Sequence, residues 1–476
     1  MKILFVAAEM APLTKVGGLA DVVRSLPVEL IKRGHEVRVI VPKYGFVDYS
    51  QYQTEPVIRN LTVLSLQEYR KISVEQINIE EVPVYLLSAD VFAGARDVYG
   101  DDEIEKFWVF NDCVCEVLPY LGWQPSIVNC HDWHSALIPL LTRNKHGGYR
   151  TVFTIHNIRY QGNINEHLIS RSGLGQYWQA GIWGRPPMPW NFMTQGILWS
   201  HVINTVSVNF AREIMTAEYG CGMQSILEFR KESLSGIRNG LGQEEYDPLR
   251  DKLIAANYDA ADIEGKLLNK KEVQRMAGWK SAADIPLAGM VARLDEQKGM
   301  DIILDAIPEI LSRAKVQFVF LGRGKEYYEE ALQQLESRYP DSVKAFITFD
   351  NDKAHLLYAG SDLFLMPSQW EPCGLGQMIA MKYGTVPVVR KTGGLADTVH
   401  NLSHDLKHGT GFVFNDYSSQ ALVFTLKKAV AAFSERPAWE RVIRRVMAED
   451  LSWREPAEKY EALYQRALEL NISEPL

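Results

Sequence analysis

A heptapeptide that occurs twice limits what this chain can fold into. Lys15-Val16-Gly17-Gly18-Leu19-Ala20-Asp21 and Lys391-Thr392-Gly393-Gly394-Leu395-Ala396-Asp397 agree at six of seven positions, and each lies just after a short apolar run. The same punctuation in the same strand-loop-helix context points to two related halves built on parallel sheets. At about 150 residues per domain, 476 residues leave room for two or three such units. The expected class is α/β: two facing, Rossmann-like, doubly wound domains with a cleft between them. Ligands of open α/β sheets bind beyond the strand C-termini, so the two glycine loops are expected to meet one ligand from opposite sides.

Composition excludes several functions. Lys and Arg number 51 against 59 Asp and Glu, a net charge of −8, with no long basic run. A nucleic-acid groove or an anionic membrane surface needs a concentrated positive field, so neither is the expected partner. The five cysteines (Cys113, Cys115, Cys130, Cys221, Cys373) are odd in number and contain no C-x-x-C pair, which argues for a reducing compartment. The opening MKILFVAAEM has its apolar run cut by Glu9 and reads as a first strand rather than a signal peptide. No stretch approaches the ~18 apolar residues of a spanning helix. A soluble, intracellular protein is expected.

The first fifty residues read as β-α-β: a strand at Ile3 to Ala8, a helix from Asp21 to Arg33, Gly34 as its stop, and a strand from Val37 to Val41. Ser126 to Asn129 and Thr151 to Ile155 read as buried strands, each followed by a His-bearing loop. From Pro286 the rhythm restarts, with strands at Leu287 to Val291, Gln317 to Leu321, Ala345 to Phe349, Leu363 to Pro367 and Val386 to Val389, separated by helical patterns such as Asp301 to Arg313. Asn239 to Lys252, rich in Gly, Asp, Glu and Pro, reads as the linker. The expected division is 1–242 and 243–456, two Rossmann-like domains, and 457–476, a helix packing back on the first from a helical stretch that begins at about Trp453.

Three groups carry chemistry. The Lys15-to-Gly18 loop opens a helix, where missing β-carbons and the helix dipole suit a phosphate; a tight turn with a solvated lysine is the plainer reading. Arg293 and Lys298 flank a turn after the Leu287 to Val291 strand. Cations fixed there stabilise a diphosphate that gains charge as it leaves, although Asp295 and Glu296 also allow a salt-bridged surface loop. Glu371-Pro372-Cys373-Gly374-Leu375-Gly376-Gln377 sets a carboxylate and two glycines before another helix: Glu371 is suited to sugar hydroxyls and the amides to sugar or phosphate oxygens, with a capping glutamate as the alternative. His131, His134 and His156 invite a metal reading, yet serve equally as hydrogen-bonding groups beside Asp132 and Trp133 in a sugar pocket. Asp350-Asn351-Asp352 matches a D-x-D pattern but also begins a helix as its cap. No metal is expected at either.

Taken together, KVGGLADVV, CHDWH, TIHNIRYQG, VARLDEQKG, EPCGLGQ and PVVRKTGGLADTV make the sequence resemble, over essentially its whole length, the bacterial glycogen synthases and plant-type starch synthases. The resemblance implies a GT-B fold and retaining transfer of glucose from ADP-glucose to the non-reducing end of an α-1,4-glucan, with no cofactor beyond that donor. Carried over, Lys15, Gly18, Arg293 and Lys298 hold the diphosphate with the amides near Leu375 and Gly376. Glu371, His156, Asn239 and the Cys373-Gly374 backbone hold the transferred glucose. Asp21, Asp132 and Trp133 line the cleft, and Phe349 stacks on the adenine. Glu371, His156, Lys298, Arg293 and Asp21 form the expected catalytic set.

Other retaining GT-B enzymes often carry a Glu-x7-Glu pair, but eight positions after Glu371 stands Ile379. Same-face attack, with a departing phosphate oxygen taking the hydroxyl proton, is therefore favoured over double displacement through a carboxylate. The chain departs from the family at Arg238 and Gly242, where I-L-N-G-I-D is usual, and at Thr194-Gln195, where a Lys with a small residue is common. Hinge closure around the donor is expected, because water must be excluded. UDP-glucose or a small acceptor, and a noncatalytic glucan-binding scaffold, are the competing readings; oligomeric state is left open.

Overall fold

After Lys2, every residue of the first strand, Lys2–Val6 (β1), is apolar and buried, as a strand covered on both faces of a parallel sheet requires. In a computed structural model of the chain, residues 1–100, 103–145, 148–178, 189–242 and 246–470 are described. They divide into two units, Met1–Gly240 with Trp453–Leu476, and Leu241–Ser452.

Among the described residues of the first unit, nine strands form one sheet. They are β1, β2 (Glu36–Pro42), β3 (Glu55–Ser65), β4 (Glu68–Ile79), β5 (Val82–Ser88), β6 (Ile127–His131), β7 (Arg150–Ile155), β8 (Val202–Thr205) and β9 (Leu234–Gly236). Their order is β3-β4-β5-β2-β1-β6-β7-β8-β9. From β5 through β9 neighbours run parallel, whereas β3, β4 and β5 pair antiparallel. This antiparallel arm was not expected from the sequence. Its β3–β4 turn is Leu66-Gln67, both at positive φ (51° and 67°), a turn whose usual marker is Asn or Gly at those positions.

Helix Gly18–Lys32 follows β1 and buries Leu19, Val22, Val23, Leu26 and Leu30 in the core on one face of the sheet. The returning segment completes that same core. Its helix Arg454–Glu469 buries Tyr460 and Tyr464 fully, and their hydroxyls accept hydrogen bonds from Asn204 on β8 (3.0 Å) and Asn129 on β6 (2.9 Å). The return begins at Trp453, itself buried. Residues 471–476 of that expected helix lie outside the described residues.

In the second unit, six strands among the described residues run parallel in the order β12-β11-β10-β13-β14-β15. They are β10 (Leu287–Val291), β11 (Gln317–Leu321), β12 (Val343–Phe346), β13 (Leu363–Met366), β14 (Val386–Arg390) and β15 (Phe412–Phe414). Strand β12 starts two residues before the expected Ala345 and stops at Phe346, which leaves Phe349 in the following loop. The stretch expected to be a linker behaves differently where it is described. Asp251 is buried, accepts a hydrogen bond from the Tyr383 hydroxyl (2.5 Å) and meets His355 Nδ1 at 2.7 Å. Pro248 O accepts from Asn257 Nδ2 and Tyr258 N. Polar composition hid an anchored segment, because Asp251 is buried with partners of its own. Residues 243–245 lie outside the described residues.

Candidate active site

Each sheet presents its chemistry at strand C-termini. In the first unit, the chain after β1 doubles back at Met10–Thr14, where Thr14 N donates to Met10 O (3.0 Å), and then reaches the glycine loop. Lys15 Nζ pairs with Asp21 across the first turn of helix Gly18–Lys32 at 2.7 Å. Gly17, at the cap position of that helix, has no side chain to accept the helix's first amides. The Val16 and Gly17 amides donate instead to Glu9 Oε2, at 2.5 and 3.4 Å, and Tyr99 donates its hydroxyl to Glu9 Oε1 at 3.1 Å. Glu9 is 2% exposed, and burial raises its carboxyl above the ordinary range. Sequence reasoning used Glu9 only as the break in an apolar run; a buried acid among apolar residues was the signal it overlooked.

After β6, Asp132 sits at φ 56°, ψ −179°, a region almost confined to glycine, and that strain marks a built site. Its Oδ1 accepts the amides of His156 (2.7 Å) and Asn157 (3.2 Å) at the end of β7. Burial outweighs these bonds and pushes its carboxyl up to about 7. His156 Nε2 and His131 Nδ1 lie 2.9 Å apart. Burial lowers both imidazoles, His156 to about 3, so at neutral pH the pair is uncharged. Trp133, 3% exposed, lies against Gly162 of the HNIRYQG loop so closely that a β-carbon there would meet its ring at 2.2 Å. Asn239 is buried, and its Oδ1 has no hydrogen-bond partner among the described residues.

In the second unit, Asp295 caps the short turn Glu296–Lys298 by accepting Lys298 N (3.2 Å), and it also binds Arg293 Nε. Gln297 accepts from Arg293 Nη2 at 3.1 Å, which fixes a guanidinium whose side chain stays half exposed. Lys298 Nζ donates to Glu371 Oε2 at 2.6 Å, and Ser368 Oγ donates to the same oxygen at 3.0 Å. Glu371 therefore ends buried and ion-paired rather than capping helix Gly376–Lys382, whose cap position is Leu375. Cys373 is buried, and Gly374, at φ 72°, lets the chain turn before Leu375 and Gly376. Phe349 is 79% exposed. Asp350 caps helix Asn351–Gly360 by accepting Lys353 N, which accounts for the D-x-D match.

The two heptapeptides play different parts. Gly17 is open, with φ −143° and its nearest foreign atom 3.9 Å from an added β-carbon. Its counterpart Gly393 has φ 42°, and a β-carbon there would sit 1.8 Å from Glu371 O; one on Gly394 would sit 2.0 Å from Cys373 O. Gly394 N donates to Glu371 O at 3.0 Å. The second copy is a backbone bed beneath the Glu371–Cys373 loop. At the departures from the family pattern, Thr194 and Gln195 are buried, Gln195 Oε1 accepting Trp199 Nε1 (2.9 Å), while Arg238 pairs with Glu455 of the returning helix (3.4 Å).

Two parallel-sheet units with a cationic turn and a buried glutamate at the sheet edge of the second define a glycosyltransferase of the GT-B fold. A model of the starch synthase catalytic domain matches residues 2–229, and one of group 1 glycosyl transferases matches residues 275–443. The chain is 41% identical to a glycogen synthase of Geotalea daltonii, covering 98% of this chain and 99% of that one. It is 40% identical to glycogen synthase 2 of Geobacter sulfurreducens, with the same coverage. Its structure superposes on the catalytic domain of starch synthase IV from Arabidopsis thaliana, bound to ADP and acarbose, with a TM-score of 0.91 at 32% identity over 98% of this chain and 99% of that one. A sucrose-phosphate synthase from Thermosynechococcus elongatus shares the fold alone, at 15% identity and a TM-score of 0.60. The chain belongs to the glycogen and starch synthase family.

Proposed function

We propose that this chain transfers glucose from ADP-glucose to the non-reducing end of an α-1,4-glucan with retention of configuration. The observation that carries the reading is the Lys298–Glu371 pair beside the braced Arg293, cations held in place before any ligand arrives. Preorganised charge of this kind favours the state in which the diphosphate is leaving over the one in which it is still bound to sugar. In that state Arg293 and Lys298, with Lys15, Gly18 and the Leu375–Gly376 amides, take the phosphate oxygens, and Phe349 offers an exposed ring to the adenine.

The acceptor 4-hydroxyl forms its bond to the anomeric carbon on the face from which ADP departs. The bond from that carbon to the phosphate oxygen breaks, and the hydroxyl proton passes to an oxygen of the leaving diphosphate. Glu371 positions the glucose; its Oε2 already accepts from Lys298 and Ser368, which favours positioning over nucleophilic attack. His156, uncharged at neutral pH, acts as a hydrogen-bonding group to the sugar rather than as a cation on the phosphate. Asn239 and the Cys373-Gly374 backbone complete the glucose contacts, and Asp21, Asp132 and Trp133 line the approach. No step calls for a metal or cofactor. We place the reaction in the cytoplasm.

Purified protein incubated with ADP-glucose or UDP-glucose, each with and without glycogen, tests the reading. ADP release that requires both ADP-glucose and glycogen supports it. Faster turnover of UDP-glucose, or glucan binding with no release of nucleoside diphosphate, contradicts it.

A further inference from the structure

The first glycine loop does not hold its shape by itself. Among the described residues, no side chain within the loop caps helix Gly18–Lys32, and the residues from Lys15 to Gly18 are exposed. What meets its amides is a carboxylate seven residues upstream of Val16, at the end of the β1 segment. Glu9 Oε2 accepts both Val16 N and Gly17 N, while Oε1 is fixed by the Tyr99 hydroxyl. A carboxylate that receives two amides of the loop leading into a helix makes charge-assisted bonds, stronger than neutral ones. The amides of Val16 and Gly17 are thus taken by the protein itself, and the groups the loop turns outward are Lys15 and Gly18.

Building on the donor reading above, we propose that Glu9 is the positioning residue of the Lys15–Gly18 loop, fixing that loop for the donor's diphosphate without touching the donor itself. The burial of Glu9 supports this role, since a 2% exposed carboxylate is not available to solvent-borne ligand in this arrangement. Asp21 belongs to the same array: it pairs with Lys15 from the first turn of the helix that follows the loop Glu9 holds.

The test is a cycle of Glu9→Ala, Lys15→Ala and the double variant, with Glu9→Gln as the conservative change and thermal melting as the check on folding. Loss of the charge-assisted bonds is expected to raise KM for ADP-glucose about tenfold to a hundredfold with a smaller change in kcat. Glu9→Gln, which keeps one acceptor, recovers most of that. Because Glu9 acts through the loop, the double variant is expected to be scarcely worse than Lys15→Ala alone. Full multiplication of the two effects, or an unchanged KM in Glu9→Ala, overturns the proposal. Amide hydrogen exchange gives a readout independent of turnover. Val16 and Gly17 are expected to lose protection in Glu9→Ala while β1 and β6 keep theirs, and unchanged protection at those two amides overturns the proposal even if the wild-type protein proves inactive. A wild-type protein that turns over no ADP-glucose defeats the donor reading itself, and the exchange result still decides what Glu9 does.

Discussion

On the proposed reading Glu371 positions the glucose, and its pairing with Lys298 predicts how a variant fails. Glu371→Gln leaves a neutral group opposite Lys298, so the ammonium loses its partner and the glucose its anchor. Activity is expected to fall about a hundredfold to a thousandfold, the scale of losing one preorganised contact. Steady-state kinetics of the variant measure this, and trapping of a glucosyl ester on wild-type Glu371 would contradict the positioning role. A second residue, His201, reports on stability instead. Its Nδ1 accepts Thr151 N at 3.0 Å, and burial, followed by Arg143, Arg150 and Arg230, lowers the imidazole to about 3. A histidine neutral in the fold but titrating near 6.5 when unfolded gives the unfolded chain the extra proton below that pH. Stability is therefore complete above about pH 6.5 and is lost as pH falls towards about 3, with His131, His134 and His156 adding in the same direction. Melting temperatures across this window are expected to decline less steeply in His201→Gln; an identical slope would contradict the assignment.

At the scale of elements, the twin heptapeptides make an internal control. Gly17→Ala adds a methyl in open space at a φ that any residue adopts, so the melting temperature is expected to stay near that of the wild type. Gly393→Ala drives a β-carbon into Glu371 O at positive φ, and a loss of about 1–3 kcal/mol or more is expected from overpacking and strain. Denaturant melts of the two variants check the contrast; equal losses would mean that the copies share a role. The sequence made the repeat and its strand-loop-helix setting legible, because glycine spacing and apolar runs are local signals. It did not separate the two roles, since the crowding at Gly393 comes from Glu371, twenty-two positions away in sequence. The β3–β4–β5 arm escaped for a related reason: half-buried alternation weakens the apolar signal, and a turn made by Leu66-Gln67 carries none of the usual residue markers. The parallel strands of the second unit were legible because strands buried on both faces read as continuous apolar runs. The candidate site residues were named from motifs, whereas the Lys298–Glu371 pair and the Glu9 bonds to the glycine loop depend on contacts that sequence spacing does not encode.

For the molecule as a whole, the chain leaves its first unit at Gly240 and returns to it at Trp453, so that unit is finished only by residues that follow the whole second unit. Tyr464, fully buried with its hydroxyl on Asn129, is the measure of that closure. Tyr464→Ala is expected to cost about 3–5 kcal/mol, read by denaturant melting, and a loss below about 1 kcal/mol would mean that the helix is only appended to the sheet. On the proposed reading, the departing diphosphate is collected on cations fixed in advance. The most direct measurement is the initial rate of ADP release and glucan extension from ADP-glucose by the wild-type protein and by the Arg293→Gln/Lys298→Gln variant, with circular dichroism to verify that both are folded. The account predicts ready turnover by the first and a loss of at least about a hundredfold in the second. Equal rates in two folded proteins would contradict it.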